Sequence, residues 1–441
     1  MNKTVYLRTF GCQMNIRDSE FVAGILIDNG FRLADSAETA DAVLFNSCSV
    51  RKHAEDRLFS NIGELSGLKK RRPGLVVALM GCTAQKFGVG AFERAPILNI
   101  ICGPGNESEL PALIREALEN GGRIVATNKI SDKRPELFPK YRVGALKAFV
   151  SIGEGCDNYC SYCIVPYVRG RERSRDARDI IREVRNLAER GFKEVTLLGQ
   201  NVNSYGRATS HEPQATDFVS LLQKLNKIDG IKRIRFMTSH PKHAHVELFK
   251  AMRDLDKVCE HLHLPLQSGS DRILKLMNRG YAAKKYLKLA EEYRKFVPEG
   301  SLTTDILVGF PFETEIDFKK TYTMMECIGF DSAFTFTYSP RPPAKSAKLE
   351  DDVPSLTKEK RLLEIIEFQC RTSLEKNKAL VGKTVEVLVD GASRKDASVL
   401  SGRTRTNKTA VFKGGGSLIG RFVNVKIGSA TPYALKGRIE K

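Results

Sequence analysis

Three of the ten cysteines in this 441-residue chain fall within eight residues. Cys156, Cys160 and Cys163, in EGCDNYCSYCIVPYVRG, are spaced by four and three, and nothing later in the stretch supplies a fourth thiol. A structural zinc site closes itself with four ligands. Zinc here would need CSYC and a distant pair, but no second Cys-x-x-Cys occurs. Three thiolates on one tight loop suit three irons of a cubane iron–sulfur cluster, whose full complement is four cysteines. The remaining iron is then open to a small molecule, as catalytic metal sites keep one position free.

Three further cysteines stand at comparable places. Cys12 follows TVYLRTF, Cys48 follows DAVLFNS and Cys82 follows LVVALMG, 36 and 34 positions apart. If those apolar runs are parallel strands, the three thiols emerge on one edge of one sheet, where open α/β sheets bind ligands. They would hold a second cluster, again with one iron open; buried cysteine packed in a strand is the alternative. Cys102 also ends an apolar run (ILNIICG) and reads as structural, while Cys259, Cys327 and Cys370 lie beside apolar segments and read as packing residues.

The elements that must position these groups follow from hydrophobic patterning. In the first third, short apolar runs alternate with polar, helix-patterned segments, which argues for a parallel sheet with crossover helices, a Rossmann-like arrangement. The charged, Pro-containing stretch Ser131–Gly144 marks a boundary. From Ala148 the alternation restarts with KAFVSIG, EVTLLG, RIRFMTS, HLHLPLQ, LTTDILVGFP and AFTFTYS. Six strand–helix units predict a β/α barrel, full or partial, with function at the strands' C-terminal ends. A long amphipathic helix over 356–380 connects to a tail of short strands broken by Gly, which predicts a small β-barrel or sandwich. The expected domains are 1–125, 142–375 and 376–441, in an α/β chain.

Lys and Arg number 71 against 52 Asp and Glu, a net charge of +19, and residues 375–441 alone hold 14 basic against 5 acidic residues. Such an excess favours a polyanionic partner, nucleic acid first. MNKTVYLRTFGCQMN has neither an apolar core nor a small-residue cleavage site, and no stretch approaches the length needed to span a bilayer. A cytoplasmic protein is expected, where clustered cysteines bind metals more often than they form disulfides.

C-x-x-x-C-x-x-C after a first barrel strand resembles the radical S-adenosylmethionine (SAM) superfamily. TFGCQMNIRDSE, NSCSVR, MGCTAQ, GCDNYCSYCIVPYVRGRERSR, LLGQNVNSYG, RIRFMTSHP, LPLQSGSDRIL, TDILVGFP and GRTRTNK together resemble the methylthiotransferases over almost the whole chain. QMN after Cys12 and SVR after Cys48 look like the tRNA branch of that family. Phe312 in GFPFETE stands where the family usually has Gly, and RPPAKSA replaces a Gly-Thr-Pro pattern.

The resemblance implies a Rossmann-like N-terminal cluster domain, a radical-SAM partial β/α barrel and a C-terminal all-β TRAM-type domain. It implies two [4Fe-4S] clusters, one on Cys156, Cys160 and Cys163 that cleaves SAM, and one on Cys12, Cys48 and Cys82 that donates sulfur. The implied reaction is methylthiolation at C2 of N(6)-dimethylallyladenosine at position 37 of tRNA, next to the anticodon, with SAM as methyl donor and radical source. An external flavodoxin- or ferredoxin-like electron donor and a monomeric chain are expected. The sister activity, on an aspartate of a small-subunit ribosomal protein, is the alternative. Gly199, Gln200 and Asn201 would meet SAM after the second barrel strand, or form a plain turn. Gln267, Ser268 and Asp305 would face the cavity, or cap and pack. The four arginines of VRGRERSR would contact phosphate or lie in a solvated loop, and Arg403, Arg405, Asn407 and Lys408 would contact the RNA backbone.

Overall fold

A computed structural model describes residues 3–50, 52–127, 139–207, 216–393 and 396–440. The stretch read as a boundary, Ser131–Gly144, lies outside the described residues over 131–138. By compactness the chain forms two units: 1–144 with 149–159 and 163–175, and 145–148 with 160–162 and 176–441.

The first unit is built on β1 (Thr4–Phe10), β2 (Arg32–Leu33), β3 (Ala42–Ser47), β4 (Val76–Met80), β5 (Ile100–Cys102) and β6 (Ile124–Ala126). They form one parallel sheet in the order β2-β1-β3-β4-β5-β6. β3 and β4 are buried on both faces, as strands covered by helices on two sides must be. Val43, Phe45, Val77 and Leu79 pack with Leu58 and Ile62 of the helix Lys52–Glu64 on one face. Ala42, Leu44, Val76 and Ala78 pack on the other with Val22 and Leu26 of the helix Gln13–Asp28 and Leu110 and Ile114 of the helix Leu110–Asn120. This is the Rossmann-like arrangement expected from the alternation. β2 and β6, two and three residues long, are too short to leave a period in the sequence.

The barrel strands are β7 (Lys147–Ser151), β10 (Glu194–Leu198), β11 (Arg233–Met237), β12 (His261–His263), β13 (Ser301–Val308) and β14 (Ser332–Thr337); β8 (Gly153–Glu154) and β9 (Arg173–Ser174) form a two-stranded ribbon. The six parallel strands fall into two sheets, β11-β10-β7 and β12-β13-β14. A bridge between Ile234 and Val258 and a hydrogen bond from Ser239 N–H to the His263 carbonyl join β11 to the second sheet. The result is a six-stranded partial barrel.

The tail forms β15 (Thr384–Ala392), β16 (Val399–Thr404), β17 (Thr409–Lys413), β18 (Phe422–Ala430) and β19 (Leu435–Ile439), closed into a barrel in the order β15-β16-β17-β19-β18. Its core is Val387, Val389, Leu400, Ala410, Phe412, Val425, Ile427 and Leu435. The helix Ser355–Lys378 is more than a connector. Arg361 pairs with Glu313 at 2.9 Å, Gln369 donates to the Phe330 carbonyl, and Asn377 donates to the Thr431 carbonyl of the small barrel.

Candidate functional site

In the first unit, the adjacency of β1, β3 and β4 explains how Cys12, Cys48 and Cys82 meet. Each cysteine leaves the C-terminal end of one of three neighbouring strands. The Cys12 and Cys48 thiols hydrogen-bond each other, and the Cys82 thiol is close enough for its charge to act on Cys48. The bond to Cys48, helped by the Arg169 charge, lowers the Cys12 pKa to about 6. The same bond, together with burial, pushes Cys48 well up, and burial raises Cys82.

Glycine is required at two of these corners. A Cβ on Gly11, at φ +126°, would lie 2.4 Å from Cys48 Cβ; one on Gly81, at φ +86°, would lie 2.4 Å from Asn46 Oδ1. Only glycine adopts such φ values without strain. Beneath the thiols, Asn15 accepts from the Cys12 thiol at 3.1 Å, and its own amide donates to Asn46 at 2.9 Å. The hydroxyls of Ser47, Ser49 and Thr83, beside Cys48 and Cys82, are buried without a hydrogen-bond partner among the described residues. Buried polar atoms are normally satisfied, so these call for a group that accepts or donates there. Three cysteines at neighbouring strand ends, with unsatisfied hydroxyls on the adjoining residues, fit the thiolate chemistry of an iron–sulfur cluster. Among the described residues, no three His, Cys, Asp or Glu side chains close on a single metal ion. Cys102 lies instead among Leu110, Ile114 and Met80 in the core, as expected of a structural cysteine.

The loop of the second cysteine set begins at Gly155, whose φ is +74° and whose Cβ would lie 2.0 Å from the Arg171 carbonyl. Cys156 N–H donates to the Gly170 carbonyl, and the Asn158 amide donates to Cys156 Sγ at 3.3 Å. In the second unit, Cys160 is buried; Arg279 Nη1 donates to its Sγ at 3.5 Å, and His240 Nε2 lies 4.0 Å away. Burial, then the charges of Arg279, His243 and Lys242, keep His240 neutral. Burial, with Arg207, Lys242 and Lys285, lowers His243 to about 4.

Gly199, Gln200 and Asn201 follow β10, as expected. Asn201 Nδ2 pairs with His243 Nδ1 at 2.8 Å, while its Oδ1 is buried and has no partner among the described residues. The hydroxyls of Thr238 and Ser239, just after β11, are orphaned in the same way. Orphaned polar atoms after two adjacent barrel strands suit a polar small molecule such as SAM. Asp305 lies within β13, with Oδ1 3.5 Å from His263 Nε2. Gln267 bridges to β13 through its backbone at φ +70°. Ser268 is fully buried and hydrogen-bonded to Thr321 and the Ser270 N–H, a packing position.

Two groups of basic residues differ from expectation. Arg169, in the run read as phosphate contacts, is buried, with Nε 3.1 Å from Cys82 Sγ and Nη2 2.5 Å from Asp18. The four residues read as RNA contacts are engaged inside the second unit, because the β16–β17 hairpin sits against the N-terminal ends of the barrel strands. Arg405 clasps Glu260, ahead of β12, and Lys408 reaches Asp331, ahead of β14, and Asn377. Arg403 Nη1 donates to the carbonyl of Asn407, which sits at φ +63°. Arg233 of β11 donates to the Arg403 carbonyl, Arg235 to those of Thr404 and Arg405, and Ser301 of β13 to that of Thr406. On the adjoining strand β15, Asp390 binds Lys147 of β7. Residue type alone cannot separate an arginine that binds phosphate from one that binds a carboxylate of its own chain.

Comparison with known proteins agrees with this architecture. The chain matches Uncharacterized protein family UPF0004 over residues 4–103, the Radical SAM superfamily over 150–325 and the TRAM domain over 378–439. A Thermoanaerobacter sp. (strain X514) protein named tRNA-2-methylthio-N(6)-dimethylallyladenosine synthase is 46% identical over 440 residues, covering 99% of this chain and 93% of that one. A Syntrophomonas wolfei protein of the same name is 47% identical over 431 residues, 98% of this chain and 96% of its own. Among solved structures, the radical S-adenosylmethionine methyltransferase TsrM from Kitasatospora setae, with cobalamin and a [4Fe-4S] cluster bound, aligns with TM-score 0.56 at 14% identity, over 79% of this chain and 77% of that one. OxsB, a cobalamin-dependent SAM radical enzyme, aligns with TM-score 0.53 at 14% identity, over 83% and 56%. At that identity the two structures speak for the fold alone. The relatives' name leaves the ribosomal-protein alternative without support. Near-half identity along the full length makes this chain a member of the radical-SAM methylthiotransferases, in the family of tRNA-2-methylthio-N(6)-dimethylallyladenosine synthases.

Proposed function

We propose that this chain exchanges the C2 hydrogen of N(6)-dimethylallyladenosine, at position 37 of tRNA, for a methylthio group. The observation that carries the reading is the convergence of Cys12, Cys48 and Cys82 at three neighbouring strand ends, with orphaned hydroxyls on the residues beside Cys48 and Cys82. We assign these three to a sulfur-donating [4Fe-4S] cluster and Cys156, Cys160 and Cys163 to a second one. With both clusters and SAM bound, the site gains a 5′-deoxyadenosyl radical source and a methylatable sulfur.

The protein's own contribution is placement. Gly11, Gly81 and Gly155 let the backbone turn tightly so that thiols leave strand ends in register. Asn15 and Asn46 brace the Cys12 loop from below. We assign Asn201, with Gly199, Gln200 and the Thr238 and Ser239 hydroxyls, to the methionine part of SAM, and Gln267 and Asp305 to the cavity around it, with Ser268 packed behind them against Thr321. The imidazoles of His240 and His243, kept neutral at physiological pH, add no positive charge beside a sulfonium ligand. We place tRNA contact on the small β barrel. Since Arg405 and Lys408 hold the barrel strands, we assign phosphate contact to exposed cations of this module, among them Lys383, Lys413, Arg421, Lys426, Lys436 and Arg438.

We take the boundaries 1–125, 142–375 and 376–441 as the three functional modules. Among the described residues no helix is long and apolar enough to cross a membrane. We propose a cytoplasmic monomer served by a flavodoxin- or ferredoxin-like donor. The test is anaerobic incubation of the reconstituted chain with SAM, a reductant and tRNA bearing N(6)-dimethylallyladenosine. Nucleoside mass spectrometry should then show SCH3 in place of H at C2. A tRNA that stays unchanged while SAM is cleaved would refute the reading.

A further inference from the structure

In the small barrel, β18 and β19 run antiparallel, and their register sets two cations face to face. Lys426 lies directly opposite Arg438, an arrangement of like charges that destabilises a sheet. Lys436 stands two positions along β19, on the same outward face. All three are exposed, while their inward neighbours Val425, Ile427 and Leu435 fill the barrel core. The register slips between Ile427 and Ser429, so Gly428 and Ser429 together oppose Lys436. Such a bulge bends its strand and is frequent beside functional sites. A Cβ on Gly428 would meet nothing closer than the Lys436 carbonyl at 4.0 Å, so the surface there is bare backbone. Lys426, Lys436 and Arg438 line a cleft of about 420 Å³ with Gly428, Ser429 and Gly437, and no acidic residue lines it. Outside it, Glu440 lies 3.7 Å from Lys426 and balances one of the three charges. A second cleft, of about 380 Å³, lies beside the helices Ala177–Glu189 and Phe218–Asn226. It too holds three cations, Arg185, Lys224 and Lys227, but Glu189 and Asp229 line it with them. Charge nearly cancels there and stays in excess on the small barrel.

We propose that the cleft between Lys426, Lys436 and Arg438 seats the RNA backbone, taking phosphodiester groups of the tRNA. The proposal deepens the reading of tRNA as the substrate and rests on it: of the exposed cations on the small barrel, these three form the phosphate site. The opposition of Lys426 and Arg438 costs the empty sheet stability, and a phosphate seated between them removes the repulsion. A guanidinium offers phosphate a planar fork and an ammonium offers a point charge. With no side chain on Gly428, a phosphate can come close to the backbone of the bulge. Contacts of this kind add affinity and orientation and read no sequence.

The test uses the full-length, anaerobically reconstituted chain and tRNA bearing N(6)-dimethylallyladenosine, with binding read by fluorescence anisotropy across a KCl series. Lys426→Gln/Lys436→Gln/Arg438→Gln should bind about tenfold or more weakly and flatten the slope of log Kd against log[KCl] by about two, as losing two to three phosphate contacts requires. Arg185→Gln/Lys224→Gln/Lys227→Gln removes the same charge from the second cleft and should weaken binding by less than about threefold. The loss in the first variant should be the same on tRNA without the dimethylallyl group, since phosphate contact carries no base information. Arg438→Gln alone relieves the opposition and leaves Lys426 beside Glu440. It should melt no lower than the parent and still bind about threefold more weakly, and it decides the matter if the triple variant fails to fold. An Arg438→Gln chain that melts lower marks a structural arginine and overturns the proposal. So does a folded triple variant with the parent's affinity and slope, or a second-cleft variant equally weakened; the substrate reading survives both. Inorganic phosphate that displaces tRNA from the parent beyond its ionic strength, and not from the triple variant, assigns the cleft to the free anion and also overturns it. A parent chain that binds no tRNA at low salt sinks the substrate reading itself, and the cleft's role with it.

Discussion

Arg405 and Glu260, 145 residues apart, meet in a two-pronged ion pair: Nε lies 2.8 Å from Oε2 and Nη2 lies 2.6 Å from Oε1. Arg405 belongs to the β16–β17 hairpin, and Glu260 precedes β12 of the larger barrel. Fork-to-fork geometry makes this a stronger contact than an ordinary surface pair. Both side chains keep about 30% exposure, 28% and 30%, so solvent weakens it. A double-mutant cycle with Arg405→Met and Glu260→Gln should give a coupling of about 1 kcal/mol in urea unfolding. A coupling near zero would mean the pair is decorative.

Replacing two glycines should separate the clusters. Gly11→Ala drives a methyl into Cys48, whereas Gly155→Ala drives one into the Arg171 carbonyl. Each variant should keep about four irons and lose about four, as two cubane sites require. Gly11→Ala is expected to retain SAM cleavage and lose methylthiolation. Gly155→Ala is expected to lose both. Iron, sulfide and 5′-deoxyadenosine assays check the pair.

His261, buried beside Thr303, makes the barrel acid-labile. Burial, then the charges of Arg235 and His263, lower its pKa to about 3. A folded pKa below the unfolded value of about 6.5 means the unfolded chain binds the proton first. Stability is therefore full above pH 6.5 and falls as the pH drops toward 3. Between pH 8 and pH 5 this one group should cost about 2 kcal/mol. His261→Gln should flatten that dependence in urea midpoints taken at the two pH values.

Phe312 sits at φ +68°, with its N–H held by Asp352 at 2.7 Å, in the left-handed region that large side chains avoid. The ring is 38% exposed, so little packing is lost on removing it. Phe312→Gly should match or exceed the parent's stability, by up to about 1 kcal/mol, whereas Phe312→Ala should not. Thermal melts of both variants decide it.

The architecture was legible in the sequence because it is written in periods. Apolar runs ending in Gly-Cys or Ser-Cys gave β1, β3 and β4 and the cysteines that follow them. The strands β10, β11, β13 and β14 came from the same alternation. Side chains that act through partners distant in the chain were not legible. Arg169 and Arg403 belong to runs of basic residues, yet one is buried against Cys82 and Asp18 and the other bonds to its own hairpin. Arg279, in MNRGY, carried no signal at all, since the sulfur it donates to belongs to Cys160, 119 residues earlier. Burial and pairing are properties of the folded chain, and charge counts average them away.

The hairpin between β16 and β17 plugs the underside of the larger barrel, touching the starts of β11, β12, β13 and β14. Cutting the chain after Lys378 would strip those strand ends of their partners and leave Arg233, fully buried, without the Arg403 and Glu386 carbonyls it holds. The small barrel is therefore no bead on a leash. Whatever it grips is carried at a fixed offset from the mouth of the strands, and the molecule behaves as a ruler.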